Sequence, residues 1–264
     1  MNAIIFATVG TSALTNQKIG DVVVRDKTAV VVRESGAQLR SDVRTYLEAA
    51  PQVRVRRAAE LDLEQRLTEA HVAYFRQKFS ACLDPKNYPM SAAELTSMPA
   101  LLEAIKGRGE TLQLLVLLAS DTPAGKLAAR VVQHVLTTPA CFQLAPATVE
   151  LKPVPGLNET FQNQFERLSS ALDEQVGHVA PPRRVYINLT GGFKGTVPFL
   201  TQLAWNRGYA LYYQHEAQSK SEIVEFAHET SPNPETVGPI RARVALDAGP
   251  KVVLLPGAEK WGRD

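Results

Sequence analysis

The chain is poor in cysteine. Two stand in 264 residues, Cys82 and Cys141. They lie far apart, form no Cys-x-x-Cys and have no histidine at metal-ligand spacing. This pattern argues against a disulfide scaffold and against a zinc site, and both thiols read as ordinary core or boundary residues. A long hydrophobic run is also missing. None approaches the roughly 20 residues that cross a bilayer, so no membrane partner is expected. The start of the chain lacks the basic stretch of a signal peptide, and the apolar run 4–9 is too short for its core. We therefore expect a cytoplasmic protein. Charge of one sign is scarce, with a formal net charge of +2. That is too mild for a nucleic-acid-binding surface, so no long nucleic acid is expected, although a local positive pocket for a small anion is allowed. Walker A, Gly-x-Gly-x-x-Gly and Gly-x-Ser-x-Gly are all absent, which removes the commonest nucleotide and serine-hydrolase signatures.

What is present is ordinary globular composition: 45% hydrophobic, 21% charged and 7% aromatic. It suits one large domain, or one domain with an appendage. Residues 3–9 form a buried-strand pattern. Residues 22–24 and 29–32 read as two short strands around Arg25-Asp26-Lys27, a hairpin in an insert spanning 15–39. Helical patterns follow at 36–50, stopped by Pro51, and at 60–83, where Leu61, Leu67, Val72, Phe75 and Phe79 recur at three-to-six-residue spacing. Ser91-Ala92-Ala93-Glu94 reads as a capping box opening a helix that runs to about Lys106. The continuous apolar run 112–119 is typical of a central parallel strand. Helices at 123–136 and 158–176 alternate with strands at 149–154, 185–189, 209–214 and 222–226. Residues 231–239 hold three prolines and read as a loop, and 252–255 is a last apolar run. Strands alternating with helices predict an α/β fold with a Rossmann-like, doubly wound, mostly parallel sheet.

Two strand ends carry the candidate chemistry. The run Tyr186-Ile187-Asn188-Leu189 stops at Thr190-Gly191-Gly192-Phe193-Lys194-Gly195, and a helix-compatible segment begins at Thr196. Adjacent glycines let bare N–H groups approach an anion, a helix N-terminus adds a positive dipole end, and Lys194 adds a mobile cation. A surface lysine is the bland reading, but a cation at a helix N-terminus is disfavoured without an anion. For Gly191 and Gly192 the bland reading is a tight turn, and for Thr190 an N-cap. The first strand ends in Gly10-Thr11-Ser12. In an open α/β sheet the first strand lies near the ligand crevice, so both turns face one crevice. Ser12 is a phosphate ligand, a catalytic hydroxyl or a turn cap, and nothing near it in sequence looks like an activating base. A third strand ends in Ser120-Asp121-Thr122. Asp121 either meets a ribose or base edge or caps the helix led by Pro123.

The segments "ATVGTSALTN", "LLVLLASDTPAGKLA" and "NLTGGFKG", in this order, resemble the CRISPR-associated Rossmann-fold (CARF) proteins, and most of all their stand-alone ring nucleases. The resemblance spans residues 1 to about 226. It implies a CARF domain over 1–226, with 227–264 as a C-terminal extension packing on that domain, too short to form a core of its own. It implies a homodimer whose two-fold axis crosses a cyclic oligoadenylate, since a C2 site suits a symmetric ligand. The ligand set it implies is Gly10, Thr11, Ser12, Asn16, Ser120, Asp121, Thr122, Thr190, Gly191, Gly192, Phe193 and Lys194, with Lys194 and Ser12 catalytic. Cleavage by 2′-OH attack on the adjacent phosphate, giving a 2′,3′-cyclic phosphate, needs no metal and no cofactor. With no effector attached, destruction of the messenger is expected; the other reading is a sensor or sink that binds without cutting. A more distant reading is a Rossmann-like enzyme acting on a nucleotide or sugar phosphate.

Three further residue groups read as structural. His215 and Glu216 close a strand without a metal partner. Arg66-x4-His71 matches the loose Arg-x4–6-His pattern of HEPN ribonucleases but reads as a solvated helix face. Arg40, Arg44, Arg54, Arg56 and Arg57 read as a solvated basic face.

Overall fold

The computed structural model describes residues 1–15, 36–49, 57–80, 92–139, 141–142, 144, 147–157, 164–192, 194–214, 221–226, 242–246 and 249–252. The expected hairpin within 15–39, Asn16, Cys82, Phe193, and the His215–Glu216 pair lie outside these residues.

Among the described residues, eight strands form one sheet in the order β3-β2-β1-β4-β5-β6-β7-β8. They are β1 (Asn2–Val9), β2 (Thr111–Ser120), β3 (Thr148–Val154), β4 (Arg183–Asn188), β5 (Ala210–Gln214), β6 (Ser221–Phe226), β7 (Ala242–Leu246) and β8 (Gly249–Val252). The first five are parallel, and β6 to β8 add to the β5 edge antiparallel. The helices are α1 (Ser12–Thr15), α2 (Gly36–Glu48), α3 (Arg57–Ser80), α4 (Ala93–Gly107), α5 (Pro123–Thr137), α6 (Gln164–Gly177) and α7 (Val197–Arg207). The fold is α/β and Rossmann-like, as the alternation of patterns predicts.

Period-two alternation divides each central strand between two cores. Ile5, Ala7, Leu115, Leu117 and Tyr186 face α1 to α5. Ile4, Phe6, Val116, Leu118 and Ile187 face α6 and α7. Both faces of β1, β2 and β4 are therefore dry, which is why these strands read as near-continuous apolar runs. The chain proceeds from β1 outward through β2 to β3, then returns to the other side of β1 for β4 and β5. The connection reverses between β1 and β4, and a crevice opens beyond the carboxyl ends of strands at such a switch point.

The solvated-face reading of Arg66 and His71 needs correction. Arg66 is paired with Asp42 of α2 at 2.5 Å and with Asp62 at 3.1 Å. His71 is 1% exposed, and its Nε2 lies 2.9 Å from the Ala13 carbonyl. Residues five apart on a helix lie about 140° apart around the axis, so the pair has no common face. Burial lowers the His71 pKa from its ordinary 6.5, and the neutral ring ties α3 to α1, the short helix after the β1 turn. At the far end of the sheet the Tyr186 hydroxyl donates to Glu110 at 2.7 Å. Burial, followed by the Glu110 carboxylate, raises its pKa to about 12.

A neutral buried histidine links folding to pH. The unfolded chain takes up a proton below about pH 6.5 that the folded His71 refuses, so this contribution to stability is lost as pH falls below that value. His71→Gln keeps a donor for the Ala13 carbonyl without the titration. We expect the Tm advantage of the parent over His71→Gln to shrink between pH 7.5 and 5.5. Parallel melting curves check this; a constant gap means His71 titrates alike in both states.

Candidate functional site

The carboxyl ends of β2, β1 and β4 lie side by side, because Val9 pairs with Ala119 and Ala7 with Asn188. Gly10-Thr11-Ser12, Ser120-Asp121-Thr122 and the Thr190–Lys194 segment thus emerge at one edge of the sheet. The β1 and β4 turns are fastened to each other. The Thr8 hydroxyl donates to the Gly191 carbonyl at 2.6 Å. A Cβ on Gly10 would lie 3.2 Å from the Gly192 Cα, so the two backbones run nearly in contact.

Between them sits a side chain that the sequence reading placed elsewhere. Glu94, in the first turn of α4, is 1% exposed. Its Oε1 accepts the Gly10 N–H at 2.8 Å and the Gly192 N–H at 3.0 Å. Its Oε2 accepts the Ser12 hydroxyl at 2.9 Å. The cradle of glycine N–H groups is real, but its occupant is an internal carboxyl. Burial raises the pKa of that carboxyl, and hydrogen bonds from Gly10, Ser12 and Gly192 oppose the shift. A Cβ on Gly191 would stand 2.3 Å from the Glu94 carboxyl. Gly191 is therefore a space requirement of Glu94.

The capping-box reading is corrected by the same geometry. α4 starts after Ala92, which makes no side-chain cap bond, and the Glu94 side chain reaches across to two turns instead of back along its own helix. Three tertiary hydrogen bonds outcompete one local bond.

Asn188 is the other residue the sequence reading missed. It is buried at the end of β4. Its Nδ2 donates to Ser97 Oγ at 2.9 Å and its Oδ1 accepts the Thr190 N–H at 3.0 Å. The Tyr212 hydroxyl reaches the Ser97 carbonyl at 3.2 Å. Glu94 and Ser97, one turn apart on α4, thus hold the helix start against the ends of β1, β4 and β5. An Asn closing an apolar strand is the signal that marks it.

The remaining predicted residues divide clearly. Thr190 is buried, and its Oγ1 accepts the Gln214 N–H at 3.0 Å. It joins β4 to β5 and is not a helix cap. Thr122, not Asp121, caps α5: its Oγ1 accepts the Gly125 N–H at 3.1 Å and lies 2.8 Å from Ser120 Oγ. Asp121 is exposed and accepts the Gly156 N–H at 3.3 Å, steadying the loop after β3. Thr11 is exposed, and its carbonyl starts α1 by accepting from Leu14 and Thr15. Lys194 is exposed and opens a single 3₁₀ turn, Lys194–Thr196, that leads into α7. Among the described residues the open edge therefore offers an ammonium at Lys194, hydroxyls at Thr11 and Ser12, and a carboxylate at Asp121. No group of three or more potential metal ligands occurs among the described residues, and none of the described helices is long and apolar enough to cross a membrane.

Five parallel strands, helices on both faces and a polar edge at the β1/β4 switch point define a Rossmann-like α/β protein. The family model of CRISPR-associated protein (Cas_APE2256) matches residues 89–227. This is more than half of the chain, and the chain belongs to that CRISPR-associated family. The match runs from just before α4 through β6, so it contains Glu94, the Ser120–Thr122 turn and the Gly-Gly turn. Curated proteins give no match.

The two glycines of the β1/β4 contact set a stability test. Gly192 has φ of 87°, and a Cβ there would lie 2.4 Å from the Thr8 side chain. A side chain held in such a left-handed conformation costs about 1–3 kcal/mol before any clash. Gly177 ends α6 with nothing within 4 Å of a Cβ. We expect Gly192→Ala to lower the urea midpoint markedly and Gly177→Ala to leave it level or slightly higher. Equal midpoints for the two variants would show that the turns are not packed as described.

Proposed function

We propose that this protein is a ring nuclease: it binds a cyclic oligoadenylate, most simply cyclic tetra-adenylate, and opens it by attack of a ribose 2′-OH on the adjacent phosphate. The observation that carries the reading is the gathering of Thr11, Ser12, Ser120–Thr122 and Lys194 at the carboxyl ends of three neighbouring strands, in a chain of a CRISPR-associated family. The resemblance of these segments to CARF proteins supplies the ligand.

The reaction asks for alignment and for charge stabilisation. The 2′-oxygen, phosphorus and departing 5′-oxygen must lie in line, and the phosphorane-like transition state gathers negative charge on its equatorial oxygens. Lys194 supplies the cation. Gly10 and Gly192 act indirectly, because their N–H groups hold Glu94 and shape the wall from which Ser12 projects. A strand-end edge of this kind is half a site, and a second copy across a two-fold axis completes it around a symmetric ring. Light scattering should then give a dimer; a strict monomer with and without the ring counts against the symmetric site.

The decisive assay is chromatography of cyclic tetra-adenylate after incubation with the protein in EDTA. Linear products ending in 2′,3′-cyclic phosphate are expected. An intact ring that nevertheless binds identifies a sensor or sink instead. In single-turnover measurements Lys194→Ala should slow cleavage about 100- to 1,000-fold, the usual effect of losing one electrostatic donor to a developing anion. Its Tm should stay near the parent value, since an exposed substitution shifts stability by about 0.5 kcal/mol or less. Cleavage at the parental rate would remove Lys194 from the mechanism.

A further inference from the structure

We propose that Glu94 is the positioning residue and proton acceptor behind Ser12, so that Ser12 and Glu94 together form a relay that deprotonates the attacking 2′-OH. The inference rests on the ring-nuclease reading and adds to it the base that this reading lacks.

The geometry is that of an acceptor aimed through a hydroxyl. Oε1 of Glu94 is taken up by the Gly10 and Gly192 N–H groups, which fixes the plane of the carboxyl. Oε2 accepts from Ser12 Oγ at 2.9 Å, and the amide of Glu94 itself also donates to the carboxyl. Ser12 is half-buried and Glu94 is 1% exposed, so Glu94 reaches a ligand through Ser12. With its proton committed to Oε2, Ser12 Oγ turns its lone pairs outward. It accepts a hydrogen bond from a ribose hydroxyl better than it donates one to a phosphate.

The step balances. As the 2′-O–P bond forms, the 2′-OH proton passes to Ser12 Oγ while the Ser12 proton passes to Glu94 Oε2. The P–O5′ bond breaks, and the departing oxygen takes a proton from water. The hydroxide left by that water takes the proton from Glu94 by way of Ser12, which restores the starting state. Burial helps, because a carboxyl whose pKa is raised is a stronger base nearer to neutral pH. Among the described residues, the groups bonded to the carboxyl are uncharged: the Gly10 N–H after β1, Ser12 on α1, the Gly192 N–H after β4 and the amide of Glu94 itself on α4. Ionisable side chains near the crevice end of these elements are His71 of α3 at the Ala13 carbonyl, Asp121 after β2 and Lys194 after the β4 turn.

Glu94→Gln is nearly isosteric and keeps an oxygen for the two glycine N–H groups, but it offers Ser12 an NH2 donor where an acceptor stood. Three readouts are taken on full-length protein: single-turnover cleavage of cyclic tetra-adenylate, affinity for its uncleavable 2′-deoxy analogue, and Tm. We expect Glu94→Gln and Ser12→Ala each to slow cleavage about 100-fold or more, the range of general-base catalysis, with affinity for the deoxy ring within about threefold of the parent. The double variant should be no slower than the slower single, as for residues acting as a unit. A second measurement leaves Glu94 untouched. Cleavage by the parent protein should fall as pH drops through a carboxyl ionisation, and Ser12→Ala should lose that limb because it disconnects the base. Parental-rate cleavage by Glu94→Gln, additive losses in the double variant, or an unchanged acid limb in Ser12→Ala would each overturn the relay while leaving the ring-nuclease reading intact. Failure of the parent protein to cleave at all would overturn both.

Discussion

The edge where β1, β2 and β4 end depends on one buried carboxyl. Glu94 gathers two backbone N–H groups and a hydroxyl from turns that are far apart in sequence. Without an acceptor there, the part-buried N–H groups of Gly10 and Gly192 would lose their partner, at a cost of up to about 1–3 kcal/mol for a group that water cannot reach. Without the donors, a buried carboxyl would itself be strongly disfavoured. Each requirement satisfies the other. The satisfied set holds the ends of β1, β4 and α4 in one fixed relation, from which Ser12 projects.

That arrangement changes what the glycine-rich turn is for. Close backbone approach, positive φ and exposed N–H groups are usually the marks of a phosphate cradle. Here the same features serve an internal carboxyl. Gly191 makes room for the Glu94 side chain, Gly192 supplies the left-handed bend, and Gly10 lets the β1 turn lie against it. The polar groups left toward the outside are the hydroxyls of Thr11 and Ser12 and the ammonium of Lys194. Second-tier ties stiffen the frame. Asn188 and Tyr212 bind Ser97 one turn along α4, and His71 holds α1 from the opposite side.

The central strands were legible from the sequence because a parallel strand buried on both sides must be apolar along its length. The runs at 3–9 and 112–119 could be little else. The three polar strand ends were legible for a similar reason. A Gly-Thr-Ser, a Ser-Asp-Thr or a Thr-Gly-Gly that interrupts such a run marks where the strand ends. The helices at 36–50 and 123–136 and the helix-compatible segment from Thr196 were also legible, with Pro51 stopping the first and Pro123 leading the second.

The sequence by itself thus determined the α/β class and the positions where polar turns leave the sheet. Tertiary structure decided which polar groups meet. Hydrogen bonding is local in space and indifferent to chain distance. A Glu three residues after a Ser reads as a capping box, while in the fold it answers donors 84 and 98 residues away. A histidine on a mostly polar helix reads as solvated until Ala13 is packed over it. Asp121 and Thr122 are both plausible caps in sequence, and the path of the β3 loop past Asp121 leaves Thr122 to cap. The switch point brings β1 and β4 together although more than 170 residues separate them. The site exists only because the chain turns back at that point.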